Sequence, residues 1–375
     1  QTCALPILAT ENLETNRELV VCDLQRFERF LTFGSHERLS WNYFNFVVKS
    51  IYNPETNLGK VELESSVVDV LTAVDLFFGL VQIMLRQSSK QTDYIALSDL
   101  EVLQPIYYRR LVAGASNLAE KLLSLAKQAE HARLADLANE LTRFFLAEAN
   151  QVKWVELAEE NVALHGQPIR IEQIASELFN KYSGVKLTDT ITDKELLFYL
   201  VERLGLNPEV LTNIEYSVDI PKTEIDLATA NQIVETGFIT SLPAPMVIVF
   251  ASAAASKDFY KQHFLTLKEH FHLYGQEYSG SGNKIFRNFR ISGNSLLLAT
   301  SKFINKQKYS APAQTLIYVE WPKIDVSQPY YQALLKEYQD KYGNLAEIFS
   351  QGDYLMNIKQ LSGEDLPKVM VLRKS

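Results

Sequence analysis

The chain has 375 residues, 47% of them hydrophobic and 22% charged, and a formal net charge of −8. That length suits two to three domains, and the composition is ordinary for a soluble globular protein. Only two cysteines, Cys3 and Cys22, are present. This excludes a disulfide framework, and an iron–sulfur cluster or four-cysteine metal site built from this chain alone, and it fits a reducing cytoplasm.

Residues 1–7, Gln-Thr-Cys-Ala-Leu-Pro-Ile, have neither an initiating Met nor the basic, apolar and small-residue zones of a signal peptide. They look like the translation of a sequencing-adapter read. The expectation is that they are not natural protein and that the gene is cut short at this end. Leu19–Asp23 then reads as a short buried strand ending in a polar turn. From about 39 to 154 the pattern is helical. Leu118, Leu122, Leu125 and Ala126 share one face, and Leu134, Leu137, Leu141 and Phe145 share another. Val67–Leu85 is the most apolar run, but Asp69 and Asp75 interrupt it. It therefore predicts a buried amphipathic helix, and no membrane-spanning segment is expected.

Strands return after this block. Pro168–Ile171 reads as a short strand, Ile171–Tyr182 as a helix stopped by Ser183-Gly184, and Val185–Thr188 as a strand. Lys194–Leu204 reads as a helix closed by Gly205. Prolines 208, 221, 243 and 245 punctuate a boundary. Strands and helices alternate from there on: strand Met246–Phe250, helices Ser256–Phe271 and Lys284–Arg290, strands Ser295–Ala299 and Thr315–Glu320, helix Pro329–Tyr342, and a last strand at Val369–Leu372. That alternation implies βαβ units and a parallel sheet.

Charge is unevenly spread. Between 251 and 310, nine Lys or Arg stand against three acids, a local +6 on a chain of −8. A basic face on an acidic body suits a phosphate chain, although a solvated lobe surface carries the same pattern.

An NTP-driven motor needs a glycine-rich loop with Lys for the phosphates, a carboxylate pair for Mg²⁺ and water, and an arginine for the transition state. No G-x-x-x-x-G-K-[ST] occurs. Ser279-Gly-Ser-Gly-Asn-Lys284 is glycine-rich but lacks the ending. Cys22-Asp23-Leu24-Gln25 stands at the end of the first strand, Leu187-Thr-Asp-Thr-Ile191 before a helix, Thr300-Ser301-Lys302-Phe303 after a strand, and Lys359-Gln-Leu-Ser-Gly-Glu364 near the end.

In that order, with Met246–Ser252 and Tyr274–Lys284, these motifs resemble the DinG branch of the XPD-like superfamily of DNA helicases. The resemblance runs from about residue 8 to the end and is strongest over 185–320. It implies an α/β fold of two RecA-like parallel-sheet lobes, the first incomplete, with an inserted all-helical arch-like domain. It implies ATP and Mg²⁺ as cofactors and single-stranded DNA as partner, with protein partners undetermined. By the same resemblance, residues 8–35 and 156–215 form the first lobe, 36–155 the insertion and 216–375 the second lobe. Asp23 and Gln25 fall in the family's Asp-Glu-Ala-His box. Thr188, Asp189 and Thr190 fall where ATP state is linked to DNA contact, a place where a Ser/Thr or Asx helix cap also fits. Gln360 and Gly363 fall in the arginine-finger motif. Ser252, Lys284, Arg287, Arg290, Thr300 and Ser301 are the residues expected to contact nucleic acid.

The chain departs from the family where the chemistry should be. Cys22 replaces a metal-linked Asp, and a thiol is a poor Mg²⁺ ligand. Asn305, Lys306 and Lys308 replace two acids and a glycine, and Glu364 takes the arginine's place. The expectation is a helicase fragment with an impaired ATPase centre; the alternative is a non-catalytic nucleic-acid-binding or scaffolding relative. His263, His270 and His272 lack a completing ligand for a metal. Trp41, Tyr43, Phe44 and Phe46 could stack on bases or form core.

Overall fold

The computed structural model describes residues 7–11, 17–21, 23–51, 61–87, 93–146, 150–158, 161–182, 184–187, 193–207, 222–227, 229–276, 278, 280–307, 310–363 and 365–373. Cys3, Cys22, Thr188, Asp189, Thr190, Lys308 and Glu364 lie outside these residues. The first elements are β1 (Ile7–Glu11), β2 (Arg17–Val21), α1 (Leu24–Gly34), β3 (Glu37–Ser40), α2 (Trp41–Lys49), α3 (Val61–Gln87), β4 (Tyr94–Ala96), α4 (Leu97–Leu103), α5 (Pro105–Ala129) and α6 (Ala132–Phe144). There follow β5 (Gln151–Ala158), β6 (Asn161–Pro168), α7 (Glu172–Phe179), β7 (Gly184–Leu187), α8 (Lys194–Arg203), β8 (Lys222–Ile225), α9 (Ala230–Glu235) and β9 (Met246–Phe250). The last are α10 (Ala253–His270), β10 (His272–Gly275), α11 (Gly282–Ile291), β11 (Ser295–Thr300), α12 (Ser301–Asn305), β12 (Thr315–Tyr318), α13 (Pro329–Tyr342), α14 (Leu345–Leu361) and β13 (Lys368–Leu372).

Contacts divide the chain into two compact units, Gln1–Arg29 with Glu172–Ile324 and Gln339–Ser375, and Phe30–Ile171 with Asp325–Tyr338. The first holds two sheets. A three-stranded sheet has the order β1-β2-β7, with β7 parallel to β2 and β1 antiparallel to it. A six-stranded sheet has the order β10-β11-β9-β12-β13-β8, and every pair in it is parallel. Its central strands β9 and β12 are buried at every position, as is β11 up to Ala299. Runs such as Met-Val-Ile-Val-Phe are apolar at every position because helices cover both faces of a parallel sheet. The parallel α/β lobe expected from the alternation is thus the observed one. The sequence reading missed β8 because Lys-Thr-Glu-Ile is short and polar, as suits an edge strand.

Local signals fix the ends of α8. Asp193 caps it, accepting from the amides of Glu195 (2.9 Å) and Leu196 (3.1 Å). Gly205 closes it with φ of 63°, while Leu206 N donates to Val201 O (2.9 Å) and Gly205 N to Glu202 O (3.0 Å). That pair of bonds is a Schellman closure, which a left-handed residue permits. A Cβ at Gly205 would also lie 2.9 Å from Glu172 Cβ. Gly205→Ala is therefore expected to cost about 1–3 kcal/mol, read as a lowered urea midpoint with unchanged m-value.

The second unit carries the predicted helices and a sheet besides. Its core joins Phe44, Val74, Phe78, Leu118, Leu122, Leu134, Leu141 and Phe144. The added four-stranded antiparallel sheet has the order β3-β6-β5-β4. Helical periodicity ends near Phe145, and β5 starts at Gln151 with Val152, Trp154 and Val155, residue types suited to a pleated surface. Residues 168–171 are not a strand: Pro168 ends β6 and Ile171 leads into α7. The inserted unit is therefore a helical layer with a sheet added to it.

Within α3, Glu62–Gln87 is long and apolar enough to cross a membrane by length and composition. One face of the helix lies in the unit's core through Val67, Val70, Val74, Phe77, Phe78, Val81 and Met84. The other shows Val68, Leu76 and Ile83 to solvent, with Asp69 and Asp75 between them. The indole of Trp41 donates to Asp75 Oδ1 (2.7 Å). Of the N-terminal aromatics, Phe44 is core, and Phe46 is exposed.

A chain of titratable groups runs from His36, just before β3, to His165 and Glu156 on β6 and β5. His36 Nε2 is 2.9 Å from His165 Nδ1, and His165 Nε2 is 2.7 Å from Glu156 Oε2. The Trp154 indole lies nearly parallel to both imidazoles. Burial, helped by His165 and Arg38 and opposed by Glu156, pushes His36 down to about 4. Above its ordinary value near 6.5, His36 is neutral in both folded and unfolded chains. As pH falls from there towards 4, the unfolded chain takes up a proton that the native site refuses, so stability falls. The loss is expected to reach about 2 kcal/mol after discounting for solvent screening. Urea midpoints at pH 7 and pH 4.5 check this: His36→Asn should show a shallower decline than the parent.

Candidate functional site

Two places in the first unit collect the residues singled out by the sequence. The first is a joint between α1 and α14. Asp23 precedes α1, and its Oδ1 accepts from Arg26 N (3.0 Å), so this carboxylate is the helix cap. Lys359 Nζ is 3.2 Å from the same oxygen, and Arg26 Nε is 3.5 Å from Oδ2. Gln25 is buried, and a Cβ at Gly352 would come within 2.6 Å of its Nε2, so glycine is what lets α14 approach. The Arg26 guanidinium donates to Gln360 Oε1, and Gln360 Nε2 donates to Gln307 O (3.3 Å). Arg29 pairs with Asp353, whose Oδ1 also accepts from Asn305 Nδ2 (3.3 Å). Deeper, the fully buried Arg203 donates through Nε to Glu28 Oε1 (2.5 Å).

The structure thus brings Gln360 into one joint with Asp23 and Gln25, which lie more than 300 positions earlier in the sequence. Gly363 lies just beyond α14 against Pro312. Arg29, Glu28, Arg203 and Asp353 were missed, since neither α1 nor α14 was predicted and their pairings join distant helices. The start of α14 carries a usable signal, Asn344 followed by Glu347, and the Asn344 side chain does accept from Glu347 N (3.4 Å).

This joint was the expected seat of ATP and Mg²⁺. Mg²⁺ needs hard oxygen donors in near-octahedral array. Here Asp23, Glu28 and Asp353 are each matched by a cation of the chain, and Asp353 also accepts from the amide of Asn305. Among the described residues no group of three His, Cys, Asp or Glu could hold a metal. The described residues of the joint do not fit a magnesium–nucleotide, and no chemical step is derived through one. His263 is likewise accounted for, packed in the core with Nε2 3.0 Å from Asn231 Oδ1 and its pKa lowered by burial.

The second place is the carboxyl edge of the six-stranded sheet. β9 and β11 are neighbours there, with Thr300 opposite Phe250. Ser252 follows β9 and caps α10, accepting from Ala255 N (3.1 Å). Thr300 ends β11 and caps α12, accepting from Phe303 N (3.2 Å). The side chain of Gln276, just beyond β10, accepts from Thr300 N (2.8 Å). Ser301 Oγ accepts from Asn357 Nδ2 (2.8 Å), which also reaches the Tyr318 hydroxyl (3.0 Å). Burial holds that hydroxyl's pKa well above its ordinary value.

α11 follows β10 and is strongly two-faced. Ile285, Phe286 and Phe289 are buried, while Lys284, Arg287 and Arg290, spaced by three, are exposed. Among the described residues none of the three makes an ion pair. An exposed row of cations on one helix face attracts phosphate oxygens. Ser252, Thr300 and Ser301 therefore lie at one sheet edge, and α11 starts beyond that edge with Lys284 and runs back towards the start of β11, with Arg287 and Arg290 along its exposed face.

No protein-family model matches the chain, and no curated protein matches it. Among solved structures, that of S. tokodaii Xpd4 is similar over 94% of this chain and 70% of that chain, with a TM-score of 0.50 and 11% identity. At that identity the likeness concerns the fold, and it agrees with the XPD-like α/β architecture expected from the motifs.

Proposed function

We propose that this chain is a non-catalytic relative of the DinG-type helicases that binds single-stranded nucleic acid in the cytoplasm. The reading rests on the basic face of α11, Lys284, Arg287 and Arg290, exposed and without ion pairs among the described residues. On a chain of net charge −8, such a face works locally, because exposed charges more than about 10 Å apart are screened at ordinary salt. Phosphate contacts of this kind hold a strand without reading its sequence.

Titration of a fluorescent oligothymidine at several salt concentrations tests this. Affinity should fall as salt rises. Arg287→Ala with Arg290→Ala should weaken binding about tenfold and flatten the log–log salt slope by roughly 1.4, two phosphates' worth on a single strand. Binding indifferent to both salt and the double substitution would reject the reading.

One observation favours a second reading, an ATP-driven helicase: Asp23 and Gln360, drawn from two motor motifs, do meet in one joint. Against it stands the matching of each carboxylate there by a cation of the chain itself.

A further inference from the structure

We propose that the stacked rings of Tyr278 and Tyr260 are a platform for an unpaired base, extending the nucleic-acid site beyond its phosphate contacts. This rests on the reading proposed above. The two rings lie 4.5 Å apart between centroids and 18° from parallel. Tyr260 continues into Phe264, 5.4 Å away, and Lys268 Nζ lies 5.5 Å from the Phe264 ring centre. The tier is therefore built outward from α10, and Tyr278 is its last ring, 41% exposed.

Its position ties it to the sheet edge already described. Tyr278 N donates to Gly275 O (3.1 Å) in the turn that leaves β10, two residues beyond the Gln276 that holds Thr300. Gly275 is what allows the tier: a Cβ there would stand 2.8 Å from the Tyr260 ring. Four residues after Tyr278 begins α11 with its exposed cations, reached through Gly280 at φ of 104°.

A flat aromatic surface beside a row of cations is the combination that single-strand binders use, with bases on the rings and phosphates on the charges. Every base offers a π-face, so this contact tolerates any sequence. Tyr260 has a half-buried ring supporting the stack, and Tyr278 supplies the contact surface.

The test uses the full chain and two oligonucleotides of equal length, an oligothymidine and its abasic counterpart, which keeps the phosphates and lacks the bases. On the oligothymidine, Tyr278→Ala should weaken binding about tenfold with an unchanged salt slope. On the abasic strand it should change binding less than twofold. Tyr278→Trp should restore the oligothymidine affinity, which a merely structural role would not predict. Equal losses on both strands, or no loss on either while the parent still binds in a salt-dependent way, would overturn the platform and leave the phosphate reading standing. Absence of salt-dependent binding by the parent protein would overturn both.

Discussion

Glu28→Ala should lower the stability of this protein by about 3–5 kcal/mol, the cost of leaving a buried charge without its partner. Arg203 is wholly buried, and its Nε lies 2.5 Å from Glu28 Oε1. Removing the carboxylate takes one anion away from a dehydrated guanidinium, and arginine cannot shed its proton to escape. The second half of the prediction separates charge from packing. Glu28→Leu combined with Arg203→Met replaces the pair by apolar groups of similar length and should recover most of the loss. Thermal and urea denaturation of the single and double variants measure both. A single substitution costing under 1 kcal/mol would mean that water reaches Arg203 in solution.

The second large effect is catalytic. DNA-stimulated ATP hydrolysis should run at least about 10³-fold below that of a complete motor, the usual cost of a missing arginine finger. On the proposed reading Glu364 takes that arginine's place, and Asp23 is already held by Lys359 and by the Arg26 amide. Because these are separate defects, Glu364→Arg alone is expected to restore no turnover. Phosphate release with and without single-stranded DNA checks this. Stimulated release above the protein-free control would favour the helicase reading over the binding reading.

Several elements were legible in the sequence because each carries its own signal. Met246–Phe250 is a run of five buried apolar residues, and Pro329–Tyr342 was read to its end residues. Gly205 announced the end of α8 by chemistry alone. The inserted sheet was not legible. β5 and β6 lie next to a strong helical pattern, and β3 is a four-residue strand whose partner, β6, comes more than 120 positions later. Such pairings leave no local periodicity. The candidate site divides the same way. Arg287 and Arg290 were readable as the polar face of one helix. The roles of Asp23, Ser252 and Thr300 were not, since a hydroxyl or carboxylate after a strand suits a helix cap and a ligand contact equally. Glu28, Arg203 and Asp353 became visible only when three distant helices came together.

The second compact unit is assembled from two stretches of chain, with Arg170 paired to Glu337 and Trp154 packed 6.4 Å from Tyr330 between ring centres. The later stretch, Asp325–Tyr338, follows a long detour through the other unit. During synthesis the ribosome therefore releases the larger piece well before its completing helix exists. Until that helix emerges, Trp154 has its stacking on His36 and His165 but lacks Tyr330. Expression of residues 30–171 alone would freeze the molecule at that unfinished stage.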